Sequence, residues 1–272
     1  MNRVNRLFLL SVFLVVLLSV NVLAVEPFGA SVNPVSPSVR AEEDVADSDT
    51  NAIAGNITSM DVSGFSVTQS WQGYFGNVTG VITLNDNADN VMYNWSVASP
   101  QGEIYASTSN SLEWNYIQCF NLDADGTYDN ASDILLAGET NQHGTNMTIL
   151  EEQFGIAFDD KDGVNETFNY NGSQENGEDL SHELFYTNNL LFTEGECVAT
   201  NLFADTDSAE DSSFQEVLLY EPSAASVVFA SILDEDELGF DNEPHDFQML
   251  VLENGHGTDT ATSTYYFWVE LE

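Results

Sequence analysis

FQEVLLYE, Phe214 to Glu221, and SVVFASIL, Ser226 to Leu233, are the segments that decide the fold. Each is a short run rich in β-branched and large apolar residues. A turn signal with Pro222 and Ser223 separates them. Runs of this length and composition, bounded by such residues, read as strands. The same style repeats outward in both directions. Downstream lie DFQMLVLE (246–253) and TYYFWVEL (264–271). Upstream lie AIAGNITSM (52–60), SVTQSWQGYFGN (66–77), VTGVITL (78–84), VMYNWSVA (91–98), EIYAST (103–108), LEWNYIQCF (112–120) and ELFYTNNLLF (183–192). NDNADN, 85–90, is a polar loop that suits a hairpin. Gly55, Gly64, Gly73, Gly76 and Gly80 suit bends and bulges better than helix.

One short helix is expected near Thr148. In TILEE, Thr148 and Glu151 stand at capping-box spacing, and Ile149, Leu150 and Phe154 would face the core. The expected class is therefore all-β. It is a mostly antiparallel β-sandwich with this one helix and an irregular acidic insertion at about 121–179.

The first residues carry a basic start, MNRVNR, then the apolar run LFLLSVFLVVLLSVNVLA. This is the pattern of a secretory signal, residues 1–24, cut after Ala24. The run is also long enough for an uncleaved anchor. Residues 25–51 read as a linker, with Pro27, Pro34 and Pro37 before the acidic run AEEDVADSD. That linker is either a disordered leader or an extended arm that pairs with a sheet edge. The β-sandwich domain then spans 52–272.

Formal net charge is −41, with only four basic residues. Two of these, Arg3 and Arg6, leave with the signal, taking the charge to −43. Such a chain repels nucleic acid and anionic lipid, which need Lys and Arg to displace counterions. It also repels itself, so high salt, divalent cations or an acidic medium must screen it. Yet 43% of residues are hydrophobic, enough for a real core. Cys119 and Cys197 are the only cysteines. In an oxidising exterior they form one disulfide, the alternative being two buried thiols.

WQGYFGNVTG, YNWSVASPQGEIYAS, FQEVLLYE, GFDNEPHDFQMLV and TYYFWVEL, in that order, resemble a group of secreted archaeal cell-surface proteins to which no activity is attached. The resemblance covers roughly 52–272. It implies an archaeal envelope or extracellular setting and nothing catalytic.

NLDADGTYDNASD, Asn121 to Asp133, is the best metal candidate. Asn121, Asp123, Asp125, Thr127 and Asp129 place oxygens at the offsets of a calcium loop around Gly126. The bidentate acid at the twelfth position is missing, and Asp133 follows one step late. The stretch is a loose calcium loop or a solvated acidic turn. DDKDGVNE (159–166) is a weaker second candidate, and DTDSAED (205–211) and DEDE (234–237) read as solvated loops.

Glycan acceptor sequences occur at Asn56, Asn77, Asn94, Asn130, Asn146, Asn165 and Asn171. Those in expected loops are favoured. Asn94 lies inside a strand, where only an outward-facing side chain can be modified. Trp71, Tyr74, Phe75, Trp95, Tyr105 and Trp114 are either a sugar-stacking face or core. His143, His182, His245 and His256 are scattered, with no zinc spacing, nucleophile elbow or phosphate loop. No enzyme is expected, although two acids of a glycosidase need only meet in space.

The expected function is that of a secreted, acidic, glycosylated structural or surface protein of the archaeal envelope, with calcium as candidate cofactor. Its partners would be other envelope proteins or itself, with no nucleic acid, and membrane only through an uncleaved signal. The alternatives are a secreted adhesin or carbohydrate-binding module and, more distantly, a hydrolase.

Overall fold

The computed structural model describes residues 26–34, 50–62, 67–96, 101–120, 147–157, 160–168, 182–204, 208–209, 213–253 and 262–271. The signal segment and most of the acidic insertion lie outside this set.

In chain order the first strands are β1 (Phe28–Gly29), β2 (Trp71–Gly76), β3 (Val81–Asn85), β4 (Val91–Ser96), β5 (Gly102–Ser107) and β6 (Gln118–Cys119). Helices α1 (Met147–Gln153) and α2 (Val164–Thr167) follow. Next come β7 (Phe185–Thr187), β8 (Leu190–Phe192), β9 (Ala199–Asn201), β10 (Phe203–Ala204) and β11 (Ser208–Ala209). The last are β12 (Gln215–Glu221), β13 (Ser226–Ile232), β14 (Glu237–Leu238), β15 (Pro244–His245), β16 (Phe247–Leu252) and β17 (Tyr266–Leu271).

FQEVLLYE and SVVFASIL supply β12 and β13, at the heart of a seven-stranded antiparallel sheet. Its order is β1-β17-β5-β13-β12-β6, with β9 beside β6 on the same edge of β12. Every residue of β12 is buried, and all but the last of β13. That explains their near-continuous apolar runs: a strand covered on both faces loses the alternation of a half-exposed one. Leu218, Tyr220, Val227 and Phe229 point to one face, where they meet Met249, Val251 and Leu252 of β16. Leu150, Val164 and Phe168 complete that side. Val217, Leu219, Val228 and Ala230 point to the other, against Trp114, Phe185 and Phe192. Burying each large side chain contributes about 1.5–3 kcal/mol. β16 pairs with β2 as a two-stranded layer over the first face. The all-β, antiparallel class is thus observed, and the layering is compatible with a sandwich.

The helical part is small: α1, the four-residue α2 and a 3-10 turn at Trp114–Tyr116. Leu150 is buried and Phe154 packs against the core, as the amphipathic spacing implies. Glu151 acts differently from a capping box. Its Oε1 accepts the backbone N–H groups of Val164 at 3.0 Å and Asn165 at 3.3 Å, so it caps the start of α2. Ala52–Met60, expected as a strand, forms none and is exposed throughout. Gly55 turns the chain there at φ 87°. Strand propensity expresses packing against neighbours, and no described strand pairs with this segment. At the other end of the linker, Phe28 and Gly29 do pair, with Val269 and Trp268 of β17.

Gly102 opens β5 at φ 121°, and a Cβ there would overlap the carbonyl oxygen of Glu270. Only glycine allows β5 and β17 to approach this closely.

Candidate functional site

Cys119 and Cys197 form the disulfide, with Cα atoms 5.0 Å apart. It joins the end of β6 to the approach of β9, the two strands that share one edge of β12. Both sulfurs sit in the core beside Trp114 and Phe192. His182 is fully buried next to them. Its Nε2 accepts the Cys197 N–H at 2.9 Å, which assigns the proton to Nδ1, and Nδ1–H donates to the Glu183 carbonyl at 2.7 Å. Burial holds this imidazole below its usual pKa.

The candidate calcium residues Asn121, Asp123, Asp125, Thr127, Asp129 and Asp133 all lie outside the described residues. The acceptors Asn130, Asn146 and Asn171 do also. Asn56, Asn77 and Asn94 are exposed, and Asn165 is half-buried at the start of α2. In the second acidic stretch Asp162 is engaged in docking. Asp162 accepts the Thr68 hydroxyl through Oδ2, and its carbonyl accepts Trp71 Nε1–H, both at 2.6 Å. Among the described residues, no three or more His, Cys, Asp or Glu side chains come together as a metal-holding group.

Register brings together two acids that their sequence positions keep 167 residues apart. Glu103 of β5 and Glu270 of β17 are direct cross-strand partners. Tyr105 Oη lies 3.3 Å from an oxygen of each and 3.0 Å from Thr187 Oγ1. The Asn188 N–H donates to both Glu270 oxygens. Burial, then the charges of Glu103 and Glu270, raise the Tyr105 pKa well above that of a free phenol. The hydroxyl therefore stays protonated and serves as donor. Both acids are buried, so this is a polar knot tying β5, β17 and the β7–β8 turn. A separate open pocket of about 150 Å³ is lined by Glu183, Phe214, Gln215, Ile232, Leu233 and Asp234. Burial, then Glu237 and Glu183, raises the Asp234 pKa.

The aromatic set divides. Tyr105 and Trp114 are core. Trp71 packs against Phe168, and Tyr74 meets Phe267 edge-on. Phe75 and Trp95 are exposed. Phe75 contacts Phe240 and His245, while Trp95 contacts Tyr93 at 5.0 Å. The latter pair belongs to the β3–β4 hairpin, every residue of which is exposed. Ile82 pairs with Trp95 and Leu84 with Tyr93, so all four side chains share one face. Sequence reasoning found this hairpin but not its uncovered apolar face. The available signal was the alternation of Ile82 and Leu84 with Thr83, and of Tyr93 and Trp95 with Asn94.

Comparison with protein-family models, curated proteins and solved structures returned no match.

Proposed function

We propose that this chain is a secreted, acidic, glycosylated structural or surface protein of an archaeal envelope, and that it works by assembling with neighbouring molecules. One observation carries the reading: a well-formed hairpin presents an uncovered apolar face on a chain of formal charge −41. Large exposed apolar patches mark interaction surfaces, and an acidic protein gains solubility without them. Support also comes from the buried disulfide, which suits an oxidising exterior. Calcium at Asn121–Asp133 would bridge carboxylates between or within subunits.

A carbohydrate-binding module is the second reading, favoured by the exposed Tyr93–Trp95 pair. Sedimentation of the purified protein separates the two. Samples contain calcium, chelator, or monovalent salt at matched ionic strength. Growth into large particles supports assembly, and growth with calcium alone supports the metal bridge. A monomer in all three conditions overturns the assembly reading in favour of the binding module.

A further inference from the structure

Resting on the assembly reading above, we propose that the apolar face of the β3–β4 hairpin is where a second copy of this chain docks, hairpin against hairpin. The register defines two unlike faces. Ile82, Leu84, Tyr93 and Trp95 form one, wholly apolar, and the other is mixed, with Thr83–Asn94 and Val81–Ser96 as its pairs. The apolar side chains are far from buried, with Tyr93 59% and Trp95 50% exposed.

The hairpin is preformed. Asp86 Oδ1 accepts the N–H groups of Ala88 and Asn90, each at 2.9 Å. The Asp89 N–H returns to the Asp86 carbonyl at 3.1 Å, with Asp89 in the left-handed region at φ 61°. This turn chemistry fixes the register and holds the apolar face in place. A two-stranded sheet with such a face open to water is incomplete, because hairpins need a further strand or a packed layer for stability.

Electrostatics selects the occupant. Two copies of a chain at −41 repel wherever carboxylates meet. From Val62 to Gly102 there is no basic residue and only two acids, Asp86 and Asp89. Both sit at the hairpin tip. An antiparallel, twofold arrangement sets each tip beside the partner's hairpin base, away from the other tip. Apolar face then meets apolar face with no carboxylates opposed, and one patch serves both subunits. The glycan acceptor Asn94 lies on the far face, so a glycan there leaves the contact open. Lipid is the poorer occupant, since the window offers no Lys or Arg to headgroups and the remaining charge opposes an anionic surface.

Sedimentation velocity on the full chain tests this, with salt raised from about 0.1 M to about 1 M to shorten the Debye length from ~10 Å to ~3 Å. Dimer should strengthen with salt. The double variant Ile82→Thr, Trp95→Thr should weaken it at least tenfold, while Thr83→Val on the opposite face leaves it unchanged. Leu84→Cys should give a reducible cross-linked dimer and Thr83→Cys should not. Unchanged melting temperatures confirm that these surface changes leave the fold intact. Assembly that persists in the double variant overturns this inference and leaves the assembly reading standing. A wild-type monomer at every salt and calcium concentration overturns both. Trp95-dependent binding to neutral vesicles or soluble oligosaccharide, by a protein that stays monomeric, replaces the second copy with that ligand.

Discussion

The imidazole of His182 accepts a hydrogen bond from the backbone N–H of Cys197, one half of the disulfide, at 2.9 Å. A proton on Nε2 would break that contact. Burial already holds the His182 pKa below its usual 6.5. The unfolded chain therefore takes up a proton first as pH falls, so stability from this site is full above that value and is lost on acidification. The slope contributed is at most about 1.4 kcal/mol per pH unit. His182→Gln offers an acceptor that does not titrate. Urea midpoints between about pH 7 and pH 5 should fall less steeply in this variant than in the parent, and equal slopes would remove His182 from the account.

The disulfide closes a separation of 78 residues around the central sheet edge. Replacing both cysteines by serine should cost about 4 kcal/mol on the chain-entropy model. Denaturant titration of the variant, beside the parent with and without reductant, measures it. A loss below about 1 kcal/mol would mean that β6 and β9 hold their places on β12 without the bridge.

Glu216 has the opposite pH sign. It is fully buried in β12, where Oε2 accepts the Leu250 N–H at 2.7 Å and Oε1 has no partner among the described residues. Burial raises its pKa well above that of a free carboxyl group. Its contribution is present below the unfolded value of 4.5 and is lost as pH rises towards the folded value. Glu216→Gln keeps an acceptor for Leu250 without a charge. Melting curves should show a larger gain at about pH 8 than at about pH 5. Equal effects at both would place Glu216 in a wetter site than the structure shows.

Gly102→Ala should destabilise by about 2–4 kcal/mol, combining left-handed strain with a Cβ pressed on the Glu270 carbonyl. Gly73→Ala is the matched control, because its Cβ would meet nothing nearer than 4.0 Å. Thermal melts of the two variants should separate clearly.

Alanine at Asp123 and Asp125 should weaken calcium binding at least tenfold by calorimetry. Binding equal to the parent would leave Asn121–Asp133 as solvated acidic surface.

Much of the fold was legible because the buried strands announce themselves locally. FQEVLLYE and SVVFASIL need no tertiary information to be read as strands. Cys119 and Cys197 were legible by count and setting. What escaped depends on pairing. Nothing near Glu103 signals that Glu270 lies opposite, since that contact is created by the β5–β17 register. Glu151 at capping-box spacing looked local, yet its oxygen reaches a different helix. Ala52–Met60 has strand-like residues but no described partner, and propensity alone did not order it into a sheet. The apolar face of β3–β4 was hidden for a related reason. Alternation shows that two faces differ without saying whether anything covers them.

β17 lies between β1 and β5, so one of the last described segments holds together two of the earliest. During synthesis β1 cannot join the central sheet until residues 266–271 have left the ribosome. Such long-range pairing slows folding. If the chain is exported, as the proposed function has it, that delay keeps the polypeptide threadable until it has crossed, with the disulfide and the final strand forming on the far side.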